Sequence, residues 1–373
     1  MRSNPATESK RILSLDVFRG LTMFLMVLVN SIGTRVTYPI LEHAEWNGCT
    51  LADLVFPAFL FIVGITTVIS LKRHRSEESK GLLYRSILSR TLLLFFFGIF
   101  LNIFPVHFDL TTLRIYGILQ RIAMCYFVCA ILYLNTSVRI QTYIFLGILL
   151  GYWYFLTQIP IPASGEGQLS ILRNWPGFVD TLIFSSSQLL FKTLDPEGLL
   201  STIPAVATTL LGLLTGHFLL SSISKQKKSI IMIATGLLSL IIAWLWSYSF
   251  PINKNLWTSS FVLWSGGFSL ICFGLCYFVI DVLGYIKWSL PFKIMGMNAL
   301  FIFIFHVILL KLQSLYVFPL PGGGQDVMRV AIAEYLFGNF GQQNAGLFYA
   351  LLFLLFNFLV AAILYHRKIF IKI

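Results

Sequence analysis

The sequence predicts an all-α protein: a polytopic membrane helix bundle of about ten transmembrane helices, with both termini cytoplasmic. Two observations establish the class and a third orients it. Only 11% of the 373 residues are charged and 57% are hydrophobic, whereas a soluble domain carries roughly 25% charged residues. The apolar residues gather into runs close to the ~20 residues that a helix needs to cross the hydrocarbon. The Lys and Arg residues fall on alternate connecting segments.

The runs lie at about 13–32, 50–71, 85–103, 115–134, 139–156, 199–221, 229–248, 258–281, 292–312 and 345–366. Each must be helical, because unpaired backbone groups are too costly in lipid. The first is too long for a signal peptide and lacks a small-residue cleavage site, so it reads as a retained span. With the N-terminus inside, the inner segments hold 18 of the 27 Lys and Arg residues. They are Arg2, Lys10 and Arg11; Lys72, Arg73, Arg75, Lys80, Arg85 and Arg90; Arg139; Lys225, Lys227 and Lys228; Lys287 and Lys293; and Arg367, Lys368 and Lys372. The outer segments hold 7: Arg35, Arg114, Arg173, Lys192, Lys254, Lys311 and Arg329. Arg19 and Arg121 fall within spans. This is the positive-inside bias. It accounts for the net charge of +12, so no nucleic-acid partner is expected. The lipid bilayer is.

The chain reads as a single integral-membrane domain, 1–373, in the cell inner (cytoplasmic) membrane. It shows no internal repeat, which counts against a transporter fold. The polar, aromatic segments all map outside. The two largest contain IPIPASGEG and FPLPGGGQ and are expected to be irregular. Of the five cysteines, Cys125 and Cys129, and Cys272 and Cys276, form i,i+4 pairs in apolar helices and read as packing. Cys49 stands alone, and no disulfide framework is inferred.

Several polar residues have a structural explanation. Thr50 and Asp53 form a capping-box pattern before an apolar run. Asp195 followed by Pro196 suits a helix N-cap, which leaves Glu197 unexplained. Asp16 and Arg19 share a helix face and pair. Arg114 and Arg121 lie two turns apart on one face, with Gln120 beside them, and a charge that deep faces a cavity or a partner. His217 and His306 sit mid-span and read as packed residues. His43 has no such explanation. It lies at the outer mouth between Glu42 and Glu45, and an imidazole titrating near 6.5 suits proton transfer at neutral pH. No second His or Cys stands at ligand spacing, so no metal is expected.

The motifs resemble a known family. RILSLDVFRG at 11–20, Asn30 and HAEWNGCTLADLVFP at 43–57 are similar to the heparan-α-glucosaminide N-acetyltransferase family. LRIYGILQRIAMCY at 113–126, DPEGLLSTIPAVATTLLG at 195–212, PINKNLWTSSFVL at 251–263 and MGMNALFIF at 295–303 extend the resemblance to about residue 312. It implies a multi-pass acyltransferase that takes acetyl from cytosolic acetyl-CoA, with no metal, and gives it to a glucosamine-type amine across the membrane. The lysosomal members carry an extra luminal region before the first span, and this chain is expected to be the shorter bacterial form. A homodimer is common in the family.

The resemblance carries the catalytic histidine to His43 and the asparagine ending span one to Asn30. His43 is then the general base, and Asn30 donates to the thioester oxygen as it gains charge. Trp46 is assigned to the sugar's apolar face, and Asp53 to orienting His43 or attracting the ammonium. Glu197 and Lys254 are further substrate candidates. Arg19, Arg114, Gln120, Arg121, Asn298 and His306 are the candidates for acetyl-CoA. Some of these line a slot through which its arm reaches the outer mouth. An acetyl-His intermediate is the rival mechanism. An amino-sugar or oligosaccharide transporter and a glycan O-acyltransferase are the rival functions.

Overall fold

The computed structural model describes residues 12–75, 79–105, 109–162 and 168–371, and of 73–75 the backbone alone. Arg2, Lys10, Arg11, His107, Lys372 and the loop residues 163–167 lie outside the described residues, as do both chain ends. α1 (Leu13–Asn30) and α2 (Leu51–Arg75) form the first helix pair, followed by α3 (Lys80–Ile103), α4 (Ile118–Asn135) and α5 (Val138–Gln158). A short helix, α6 (Trp175–Ile183), precedes α7 (Leu199–Leu219), α8 (Lys225–Ser247) and α9 (Ser259–Tyr277). α10 (Leu290–Met297) and α11 (Ala299–Leu315) lead to a hairpin of β1 (Val317–Pro319) and β2 (Gln325–Val327), then α12 (Met328–Phe337) and α13 (Gln342–His366).

Among the described residues, nine helices are long and apolar enough to cross a membrane. A tenth span arises if α10 and α11 count as one, and the chain is a multi-pass membrane protein. The expected continuous span 292–312 is corrected here: the two helices meet at Asn298 with a bend of 69°. Asn298 leaves helical geometry, with φ −123° and ψ 35°. Its side chain is taken up by the tail after α13, donating to the Ile369 carbonyl at 3.0 Å and accepting the Ile371 N–H at 2.9 Å.

The two large segments expected outside are more regular than the sequence suggests. α6 starts where Asn174 accepts the Gly177 N–H at 2.7 Å, with Pro176 in the first turn, a helix start written locally in the chain. The FPLPGGGQ stretch makes the β1–β2 turn, in which Gly323 and Gly324 take φ of +88° and +83°, values that glycine adopts without strain.

α2 and α7 occupy the centre of the bundle. They touch where Gly64 meets Gly212: a Cβ on Gly64 would overlap the Thr209 carbonyl, and one on Gly212 the Phe61 carbonyl. Small residues let membrane helices approach this closely. Gly20 and Gly296 do the same between α1 and α10. Cys125 and Cys129 pack in the buried core beside Leu210 and Leu213. α3, α5 and α8 form the rim, exposing Leu92, Phe96, Tyr143, Leu146, Leu237 and Ile241, side chains suited to lipid. The end of α1, the start of α2, the turn between α8 and α9 and the start of α7 share one face of the bundle, and the site is there.

Candidate functional site

Asp53 lies in the first turn of α2 and is 1% exposed. One oxygen organises the preceding loop: Oδ2 accepts the N–H groups of Ala44 at 3.0 Å and Thr50 at 3.1 Å. The Thr50 hydroxyl lies 3.1 Å from the same oxygen and also donates to the Glu42 carbonyl. The capping pattern therefore holds in one direction. Asp53 reaches back, while its own N–H goes to the Thr50 carbonyl at 3.2 Å. Burial of a carboxylate requires this many partners.

The other oxygen faces His43 and Lys254. Asp53 Oδ1 lies 2.7 Å from His43 Nδ1, and the His43 side chain is 55% exposed. An oxygen and a ring nitrogen this close share a hydrogen. It is assigned to Nδ1, which leaves the Nε2 lone pair free. Lys254 Nζ stands 3.2 Å from Asp53 Oδ1 and 3.1 Å from His43 Nδ1. Beside them, burial pushes the Cys49 thiol up to about 12; the Asp53 charge adds to this and Lys254 opposes it. Cys49 is thus a thiol at neutral pH and a poor nucleophile.

Lys254 reaches the site from the turn between α8 and α9, which its own side chains knit together. Thr258 caps α9 and donates to the Pro251 carbonyl at 2.8 Å. Asn253 accepts the Leu256 N–H at 2.9 Å and donates to Asn47 at 3.2 Å. The Gly48 N–H donates to the Ile252 carbonyl at 2.8 Å, so this turn and the His43 loop hold each other. Trp257 is buried at φ +52°, a conformation held by its surroundings. Its indole N–H donates to Thr208 at 3.1 Å, and its ring lies 5.0 Å below the Arg121 guanidinium. Trp46 is fixed at the other side of the loop, donating to the Leu169 carbonyl at 2.9 Å. Asn30 is the last residue of α1, half-buried, on the face from which the His43 loop rises.

A second polar cluster lies at the start of α7. Arg114 grips Asp195 with two bonds, Nε to Oδ2 at 2.7 Å and the terminal nitrogen to Oδ1 at 2.8 Å, and also pairs with Glu197. The helix begins at Leu199 after Gly198 rather than at Asp195. Asp195 instead accepts the Glu197 N–H at 3.0 Å. Asp180 of α6, absent from the sequence-based candidates, accepts the N–H groups of Asp195 at 3.0 Å and Leu199 at 3.4 Å. Burial raises its carboxyl to about 6; Asp195 adds to the shift, while the two N–H groups and Arg121 oppose it. Arg121 is buried, donating to the Gly198 carbonyl at 3.1 Å and to Ser201.

A cavity of about 410 Å³ runs between α1, α2, α3, α4, α10 and α11. Its walls are apolar along Met26, Phe59, Ile62, Leu94, Ile122 and Phe303, and polar at Arg19, Thr66, Ser70 and Arg90, with Ile371 of the tail at the same end. Of the candidates for acetyl-CoA, Arg19 lines this cavity, and it pairs with Asp16 at 3.3 Å. Asn298 lies between its lining residues Met297 and Ala299. Gln120 fills the space over Gly98 and Gly117. His306 is buried in α11 with Nδ1 3.1 Å from the Ile302 carbonyl. Sequence reasoning left Arg90 among the topology-setting residues. Its guanidinium lies 4.8 Å over the Tyr126 ring, inside the cavity. Although counted with the inner segment for charge bias, Arg90 falls inside the expected run 85–103, and that is the signal, since charges inside spans face cavities. Among the described residues, no group of three or more His, Cys, Asp or Glu is placed to hold a metal ion.

Residues 11–252 match the family model described as heparan-alpha-glucosaminide N-acetyltransferase, catalytic. The human protein named heparan-alpha-glucosaminide N-acetyltransferase is 32% identical over 354 residues, covering 79% of this chain and 52% of the human one. The mouse protein of the same name is 30% identical over 361 residues, covering 81% and 54%. The chain spans about half the length of these curated relatives.

Proposed function

Because the chain belongs to the heparan-α-glucosaminide N-acetyltransferase catalytic family, we propose that it moves acetyl from acetyl-CoA to the amine of a glucosamine-type sugar, with His43 as general base. One observation supports this most: an exposed imidazole whose Nδ1 lies 2.7 Å from a buried carboxylate. With Nδ1 turned to the carboxylate, Nε2 is the ring nitrogen left for the substrate. The sequence forms a single membrane domain in the cytoplasmic membrane, with the acyl donor entering from the cytosolic side and the sugar from the other.

The chemistry divides among the chain's own residues. The amine nitrogen bonds to the thioester carbon while Nε2 of His43 takes the amine proton. The carbon–sulfur bond then breaks, and the imidazolium returns that proton to the departing thiolate. A positioned base of this kind contributes about 10²–10⁴ in rate. The Asn30 amide donates to the oxygen that gains charge, and such a donor contributes about 10²–10³. Trp46 offers a ring to the sugar's apolar face. The cavity between the helices suits the thin pantetheine arm, with Arg19 and Arg90 at its polar end for phosphate or amide oxygens.

The test incubates purified protein in nanodiscs with acetyl-CoA and glucosamine, scoring free CoA and product by mass spectrometry. An acetyl amide is expected with the native chain and none with His43→Ala. A His43→Ala protein with native turnover rejects the base. An ester product, or labelled sugar that crosses without acetyl-CoA, rejects N-acetyl transfer.

A further inference from the structure

Lys254 presents an electrostatic puzzle. A lysine beside the base repels an ammonium substrate, yet its Nζ stands 3.2 Å from Asp53 and 3.1 Å from the imidazole. Its side chain is 16% exposed, and its turn is tied to the His43 loop through Asn253 and Asn47. The ammonium points inward, at the carboxylate. The titratable and charged groups around His43 are Asp53 from α2, Lys254 from the α8–α9 turn, Glu42 and Glu45 of its own loop, and the Cys49 thiol. Without the lysine, the imidazole faces the Asp53 carboxylate, with the exposed Glu42 and Glu45 beside it in the chain. That setting favours the imidazolium, which holds a proton on Nε2 and is not a base.

We infer that Lys254 is a positioning residue. Its ammonium balances Asp53, so that the carboxylate orients Nδ1–H while His43 remains neutral with Nε2 unprotonated. The short Asp53–His43 contact selects the tautomer, and Lys254 keeps the pair from converting the base into a cation. The assignment refines the proposed function, because it concerns the same histidine, but it is testable without turnover.

The probe is diethylpyrocarbonate, which acylates neutral imidazole. His43 is exposed enough to react, and its modification is followed by peptide mass spectrometry from pH 5 to 8 in the full chain in nanodiscs. In Lys254→Met, half-maximal reactivity is expected about one pH unit higher than in the native chain, the size of shift that a nearby charge produces. Lys254→Arg keeps the charge and is expected to hold the native midpoint. The acidic limb of kcat/KM for acetyl transfer should move with it. Unchanged midpoints in Lys254→Met, with an unchanged melting temperature, overturn the inference. So does a uniform rate loss at every pH in both variants. A shifted midpoint in a protein that forms no acetyl amide leaves the inference standing and rejects the proposed function.

Discussion

Asp53 uses its two oxygens for different purposes: Oδ2 holds the loop and the start of α2, while Oδ1 faces Nδ1 of His43 at 2.7 Å. The residue that caps the start of the helix is therefore also the one that pairs with His43. This separation of duties makes Asp53→Asn informative. The amide keeps the shape and one acceptor, but loses the charge that selects the imidazole tautomer. The expected result is a fall in kcat of about 10²–10⁴, with KM for the sugar nearly unchanged. Steady-state kinetics beside a thermal melt checks it.

Arg114 is the clamp of the second cluster. Asp195 is buried and its two oxygens meet the two arms of one guanidinium. Arg114→Ala leaves a buried carboxylate without its counter-charge, a change that costs about 3–5 kcal/mol. A large drop in melting temperature in detergent is expected. Arg114→Lys should recover part of it, because lysine supplies the charge but not the two parallel bonds.

Asp180 gives a pH dependence with a definite sign. Its carboxyl is raised from 3.8 to about 6 in the fold. Between those values the native chain holds a proton that the unfolded chain has released. Stability from this group therefore falls as pH rises from about 4 to about 6, and is level above that. Asp180→Asn does not titrate. Relative to the native chain, the variant should gain with rising pH over that window, by at most about 3 kcal/mol. Paired melting curves from pH 4 to 7 measure the difference, in which the slopes of other carboxylates cancel.

Arg90 tests whether the cavity takes the proposed donor. Arg90→Met keeps apolar bulk against Tyr126 and removes the charge from the cavity. KM for acetyl-CoA should rise about tenfold, the loss of one charge-assisted hydrogen bond, while KM for the sugar stays near native. Equal changes in both constants would remove Arg90 from the donor's path.

The helices were legible because lipid demands long apolar runs, and nine observed spans begin or end within a few residues of the expected ones. The break at Asn298 was not legible, because apolarity continues across it and the partners of the Asn298 side chain lie in a tail some seventy residues downstream. The pairing of His43 with Asp53 was half legible, since both sit in one motif and the capping pattern brings Asp53 to the helix start. The third member, Lys254, comes from a turn 211 residues away. Sequence could place it on the outer side but not against the carboxylate. Arg90 was hidden by its fit to the charge bias, and Asp180 by a loop that looked irregular.

α2 carries Asp53 in its first turn and Thr66 and Ser70 on the cavity wall, so one rod of about 25 Å joins the His43 pair to the polar end of the cavity. Midway along, Gly64 rests on Gly212 with no side chain between the backbones. A side chain at either glycine would have to push the two central helices apart, and with them Asp53 and the cavity wall.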